Sequence, residues 1–251
     1  MAEVPGTLEG WYALHDFRRL DWPRWNRLSG SEQGAIVADA AAFLSQAENP
    51  EEGSSALYSI IGHKADLMLL HLRPTVDQLG ALERAFARTR LAEYTTQTYS
   101  YLSVTELSLY EASARGGSED PEELKKSPFV QKRLMPQIPD VPYVCFYPMN
   151  KRRGEVVNWY AADMEERRRM MREHGATGRK YAAEITQMIT GSTGLDDWEW
   201  GVTLFGVDTL PIKKLVYEMR FDEVSAKYAE FGPFQIGIRV KPGGLAAWLI
   251  E

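Results

Sequence analysis

A single order of structural signals runs through this chain twice. Gly10 to Trp22, with Trp11, Tyr12, Leu14 and Phe17, reads as a strand running into a polar turn. A helix follows: Ser31 can cap it, and Ile36, Ala40, Phe43, Leu44 and Ala47 lie at helical spacing before Asn49-Pro50 ends it. Ala56 to Ile61 and Ala65 to Leu72 are two strands joined at Gly62-His63-Lys64. Thr75 with Gln78 makes a capping-box signal for a helix that turns Leu79, Leu82 and Phe86 inward, and Thr95 to Tyr110 is again strand-like. Beyond residue 142 the order repeats as strand 143–147 stopped by Pro148, helix 160–174, strands 181–190 and 197–207, helix 211–229 and strand 233–240. Pro211 opens that last helix, with Ile212, Leu215, Val216 and Met219 on its inward stripe.

Strand-helix-strand-strand-helix-strand is the ferredoxin-like pattern, an antiparallel sheet with helices on one face and the other face left to be covered. Two such halves can cover each other. The expected class is therefore α+β, with an amino-terminal half at 1–111 and a carboxy-terminal half at 143–251 sharing one barrel-like core. Between them, 112–142 shifts to Gly, Ser, Pro and charge, with a short helical turn starting near Ser118-Glu-Asp-Pro and with Pro136, Pro139 and Pro142 holding its end extended. It reads as a connector.

With 44% hydrophobic and 11% aromatic residues, 251 residues suffice for such a core. The balance of 35 acidic and 29 basic side chains, formally -6, argues against a general attraction to nucleic acid or anionic membranes, so an anionic ligand needs a local cluster. Lys151-Arg152-Arg153 is one and Lys132-Arg133 a second. No apolar run is long enough to span a bilayer, and Met-Ala-Glu-Val-Pro-Gly has no features of a secretory leader. One cysteine, Cys145, has no internal disulfide partner. A cytoplasmic protein is expected.

Tyr143 to Gly175 holds the chemistry. Tyr143, Cys145 and Tyr147 alternate with Val144 and Phe146 along a strand, a basic turn follows, and Tyr160, Met164, Met171 and Gly175 then form a helical stripe with His174 at its flank. This reading puts His174 in the helix's last turn, where the carbonyl ends favour a cationic imidazole or one bound to a cation such as ferric iron. An ordinary histidine before a terminating glycine has the same spacing. His15 and His71 within strands and His63 in a hairpin turn share no chelating spacing and read as structural. Cys145 reads as a small buried hydrophobe.

Tyr-Pro-Met-Asn-Lys-Arg-Arg at 147–153, Asn-Trp-Tyr at 158–160 and Met-Arg-Glu-His-Gly at 171–175 together resemble the chlorite dismutase-like haem proteins. They are most similar to the coproheme decarboxylase branch of Gram-positive bacteria, and the resemblance extends over essentially the whole chain. It implies His174 as the axial iron ligand, with the opposite face of the iron open to peroxide. It also implies Tyr147 as a redox-active phenol and Lys151 as the partner of a second propionate with a part in proton handling. Arg133, Arg220 and Ser225 match propionate-contacting positions, and Trp159 matches a residue near the substrate.

The position of a chlorite-holding distal arginine matches Gln187, which has no charge to hold an oxyanion. The distal histidine of actinobacterial decarboxylases is also missing. The implied reaction is peroxide-dependent conversion of two propionates of Fe-coproporphyrin III (coproheme) to vinyl groups, giving haem b through a three-propionate intermediate, the last step of haem biosynthesis by the coproporphyrin route. Iron porphyrin is then both substrate and redox centre. The implied partners are hydrogen peroxide, an upstream coproporphyrin ferrochelatase and four further copies in a homopentamer. Chlorite dismutation and non-catalytic haem carriage or sensing are the alternatives.

Overall fold

The computed structural model describes residues 4–109, 112–113, 117–118 and 120–250. The expected strand end at Tyr110, the half boundary at Glu111, Glu119 of the connector and the first three residues lie outside these. Among the described residues, nine strands form one antiparallel sheet: β1 (Thr7–Leu20), β2 (Ser54–Ile61), β3 (Leu67–Arg73), β4 (Thr95–Ser108), β5 (Tyr143–Lys151), β6 (Ile185–Gly191), β7 (Trp200–Gly206), β8 (Ala229–Phe231) and β9 (Gln235–Val240). Their order is β7-β6-β4-β1-β3-β2-β9-β5-β8. Because β5 also pairs with β7, eight strands close into a barrel and β8 extends alongside β5.

Two seams join the strands of the first half to those of the second. The β2–β9 seam runs from Leu57↔Val240 to Ile61↔Ile236, whereas β4–β6 is limited to Val104↔Gly191 and Thr105↔Thr190. Side-chain alternation then sorts each strand. Val144 and Phe146 of β5 point into the barrel with Phe17, Tyr58, Tyr101 and Phe205, while Cys145 and Tyr147 point out with Val202, Leu204 and Leu215. A slip of one residue would exchange Phe146 for Tyr147 in the barrel, so burial fixes this register.

Helices cover the outside. α1 (Gly30–Glu48) and α2 (Val76–Ala87) lie over the first half, where Ile36, Leu44, Leu57, Leu69 and Phe86 are buried together. α3 (Pro128–Leu134) packs on β1 and β4. α4 (Met164–Lys180) lies against α5 (Thr209–Met219) and α6 (Glu223–Tyr228), and α7 (Leu245–Ile250) returns to α1. The α+β class with ferredoxin-like halves and antiparallel pairing is as the repeated order indicated.

Several element limits differ from expectation. Ser29, not Ser31, caps α1, in a reciprocal capping box with Glu32. The strand of 143–147 continues through Pro148 to Lys151. Proline is tolerated because Pro148 sits where β5 changes neighbour on one side, from β9 (Phe146↔Gln235) to β8 (Met149↔Phe231). Its carbonyl accepts there from Gly232 N–H at 2.8 Å, and the N–H it lacks is not needed by either ladder. The helix of 160–174 begins at Met164 behind the cap Asp163 and continues to Lys180. Residues 211–229 are two helices, α5 and α6, separated by Arg220 to Asp222.

The expected connector is also partly built. Leu124, Val130 and Leu134 join Leu8 and Leu107 in a buried cluster. Here Gly10 has a steric role: a Cβ on it would lie 2.0 Å from the Leu134 carbonyl oxygen, so only glycine lets the end of α3 settle on β1. Thr105 Oγ1 donates to that same oxygen at 2.6 Å.

Candidate functional site

α4 owes its length to tertiary contacts. Glycine inside a helix costs about 1 kcal/mol relative to alanine, and Gly175 reads as the terminating residue, yet the helix runs on past it and past Gly178. At Gly178, however, an added Cβ would stand 3.2 Å from Met219 and 3.4 Å from the Gln187 amide nitrogen, so the glycine lets α4 approach α5 and β6 closely. Beyond it, Lys180 pairs with Glu218, and Tyr181 Oη donates to Glu218 at 2.8 Å. Six residues of helix therefore follow His174, and its imidazole is not at the carbonyl end.

The electrostatic partner of His174 is Asp222. His174 Nδ1 lies 2.8 Å from Asp222 Oδ2, and Ser225 Oγ is 3.5 Å from the same nitrogen. Asp222 is also the N-cap of α6, its Oδ1 accepting from Ser225 N–H at 2.8 Å. Burial alone would raise the carboxyl's pKa, but the hydrogen bonds from His174 and the Ser225 backbone overcome that and hold it below the usual carboxylate range. A carboxylate can only accept, so the ring donates from Nδ1, and in the neutral ring that leaves the lone pair on Nε2. Nε2 has no hydrogen-bond partner among the described residues, and the side chain is 29% exposed.

Lys151 ends β5 on the same strand face as Cys145, Tyr147 and Met149. Only 8% exposed, it sets its ammonium over Trp159, 4.9 Å from the ring centroid. Burial pulls its pKa down to about 8, against the opposing pull of Asp222 and Glu199. Trp159 in turn meets Tyr228 edge-on at 5.3 Å. Lys151, Arg152, Arg153, Asn150, Gly154 and Glu230 line a cleft of about 490 Å³.

Tyr147 is buried, with Phe234 stacked on its ring at 4.3 Å and Phe231 tilted at 5.8 Å. Burial raises its phenol pKa, so it stays protonated through the neutral range. Arg220, the C-cap of α5, lays its guanidinium on Phe231 at 3.8 Å from the centroid. Gln187 pairs with Leu204, which pairs with Cys145, so cross-strand register puts Gln187 on the outward face that also carries Tyr147.

The structure thus links His174, Ser225, Lys151 and Trp159 around Asp222, and brings Tyr147, Arg220 and Gln187 to the adjoining outward face of β5 and β6. Arg133 is on α3 over β1 and β4, and among the described residues it makes no hydrogen bond or ion pair with the others. Asp222 escapes the sequence pattern because 211–229 reads as one helix. Its signal is Asp222-x-x-Ser225, a second helix start inside the apolar stripe. Glu199, 6% exposed and accepting from Lys151 N–H at 2.8 Å, has no signal in the local pattern.

Two of the remaining histidines are held as buried neutral groups. His15 Nε2 meets Thr203 Oγ1 at 2.9 Å, His71 Nδ1 meets Ser55 Oγ at 2.7 Å, and burial takes both pKa values down to about 3. Cys145 is buried and its thiol is pushed up to about 12. Among the described residues no group of three or more His, Cys, Asp or Glu side chains could hold a bare metal ion. A lone imidazole with a free Nε2 suits a metal that brings its other ligands with it, as an iron porphyrin does. No helix among them is long and apolar enough to cross a membrane.

Residues 33–240 match the chlorite dismutase family model, and the chain belongs to that family. Among similar proteins, one from Haloquadratum walsbyi and one from Natronomonas pharaonis, both named as suspected heme-binding proteins, are each 49% identical to it. The alignments cover 99% and 98% of this chain but 48% and 42% of those proteins, so the chain spans less than half the length of the curated relatives it matches. The structure of a heme-binding protein from Thermus thermophilus superposes with a TM-score of 0.90 at 44% identity, covering 99% of this chain and 98% of that one. Chlorite dismutase of Candidatus Nitrospira defluvii, at 21% identity and a TM-score of 0.77 over 97% of this chain and 96% of its own, shares the fold.

Proposed function

We propose that this protein binds an iron porphyrin through His174 Nε2 and that it is a coproheme decarboxylase. One observation carries the reading: an imidazole with a free ring nitrogen, oriented by a carboxylate, stands next to a sheet face on which a buried phenol and a buried ammonium, Tyr147 and Lys151, are four residues apart on β5. The heme-binding names of the relatives support the porphyrin, and a five-subunit ring and a peroxide oxidant belong to the same proposal.

Each step would be R–CH2–CH2–COO⁻ + H2O2 + H⁺ → R–CH=CH2 + CO2 + 2 H2O. Peroxide would supply the two oxidising equivalents, and the bound iron porphyrin, when present, would relay them. Asp222 holds His174 in one tautomer and increases the donor strength of Nε2. Tyr147, kept as a neutral phenol, would give up its proton and one electron together and then accept a hydrogen atom from the propionate β-carbon; the second oxidising equivalent would take the electron released as the bond to the carboxylate carbon breaks, CO2 leaves and the vinyl double bond forms. Lys151 pairs with a carboxylate while charged and can return a proton, since its pKa near 8 places both forms within reach. Arg133, Arg220 and Ser225 are the further proposed propionate partners, and Trp159 forms the wall beneath Lys151. Gln187 would offer an uncharged amide and no charge to hold an oxyanion, which disfavours chlorite dismutation.

Haem carriage without chemistry is the second reading, favoured by names of relatives that mention binding alone. The test adds peroxide to the coproheme-loaded protein and follows products by mass spectrometry. Two successive losses of a carboxyl group are expected, and Tyr147→Phe should bind coproheme normally while giving neither loss. Unchanged haem b yield from that variant removes Tyr147 from the mechanism, and no product from the unmodified protein leaves the carrier.

A further inference from the structure

Glu199 is a buried carboxylate that the proposed reaction does not use. It lies at the end of the 192–199 turn leading into β7, with its carboxylate and its N–H both turned to the end of β5. Its Oε2 accepts from Lys151 N–H at 2.8 Å, its own N–H donates to Asn150 Oδ1 at 2.8 Å, and its carbonyl accepts from Ser192 N–H at 2.8 Å. Arg153 Nε approaches Oε1 at 3.6 Å. A buried carboxylate is expensive to keep unless cations face it, and the cations here are those of the basic turn.

We propose that Glu199 is the positioning residue for Lys151: its carboxylate fixes the peptide that carries the lysine and supplies one of the two negative charges facing the ammonium. The other is Asp222, from the turn before α6, which is already engaged by His174. Among the described residues, further charged or titratable groups here are Arg153 and Tyr160, both set against Glu199, and Arg152, paired with Glu230 at the cleft. Trp159 supplies a ring face and no charge. Lys151 Nζ itself makes no hydrogen bond among the described residues. Glu199 therefore governs how much of the ammonium form stands ready to meet an anionic carboxylate and to furnish the one proton that each vinyl group consumes. This role rests on the decarboxylase reading for its use in turnover, though not for its existence.

Glu199→Gln separates the two effects, because an amide oxygen can still accept from Lys151 N–H while the charge is gone. The measurement is the titration of the Lys151 side-chain amine by ¹³C/¹⁵N NMR in the porphyrin-free protein. Loss of a facing anion should move its midpoint down by about one pH unit, and the alkaline limb of the decarboxylation profile should move with it in kcat more than in KM. Glu199→Ala removes the same charge should the glutamine variant fold poorly, and Glu199→Asp, which keeps it, should stay near the original midpoint. A purely structural Glu199 would leave the midpoint within about 0.2 unit of the original in the charge-free variants as well, and that result overturns the proposal. If the amine shifts as expected but the unmodified protein makes no haem b, Glu199 positions Lys151 and the decarboxylase reading fails by itself.

Discussion

Asp222 performs two tasks with one carboxylate, and substitution can separate them. As the N-cap of α6 it is replaceable by asparagine, whereas alanine leaves the Ser225 N–H without its acceptor, at a cost of about 1 kcal/mol. As the partner of His174 it is not replaceable by a neutral amide. In urea unfolding of the porphyrin-free protein, Asp222→Asn should match the original closely and Asp222→Ala should fall below it. In ferric haem titrations both should show weakened, spectrally altered iron binding. Equal stability of the two variants would mean that the cap contributes nothing. Lys151 gives a second test, whose sign follows from its environment. Its folded pKa of about 8 lies below the ordinary lysine value of 10.5, so the unfolded chain binds more protons between those limits and stability rises with pH across them. The gain is on the order of 3 kcal/mol. Lys151→Met should abolish that part of the rise between pH 7 and 10, and an identical rise in both proteins would show that the lysine is not strained by burial.

At the level of elements, local pattern and tertiary contact divide the explanation. Strand faces are legible because a single alternation, Val144 and Phe146 against Cys145 and Tyr147, matches two separate apolar clusters. The ends are not. Gly175 and Pro148 are stop signals and Gly178 adds a further helix penalty, all of them local, while what overrides them is remote in sequence: Gln187 and Met219 for α4, and the change from β9 to β8 for β5. The motif residues are visible and the groups that orient them, Asp222 and Glu199, are not, because each is brought in by a fold contact 48 residues from its partner. Gly10 tests the same point from the packing side. Gly10→Ala drives a methyl into the Leu134 carbonyl and should cost about 1–3 kcal/mol by lifting α3 from β1. A melting temperature equal to that of the original protein would mean that this helix end is held elsewhere.

Over the whole molecule, the barrel has one broad seam and one narrow one. Five residue pairs run along β2–β9 and two along β4–β6, so local opening should begin at the second. Hydrogen exchange should find Val104 and Thr105 exchanging faster than Leu57 to Ile61, although all lie within the same sheet, and the reverse order would place the weak point elsewhere. The other end of the chain bears on time rather than on strength. Trp25, which is fully buried, donates its indole N–H to the Leu249 carbonyl at 3.0 Å, and Val240, Leu245 and Leu249 complete the cluster that Ile36, Leu44 and Leu69 begin. During synthesis, the first half therefore leaves the ribosome with its own outer core open, and it closes only when residues 245–250 have followed. A chain arrested after β9 would expose a tryptophan-lined groove to chaperones and proteases, so the outer core of the first half is sealed only once α7 has been made.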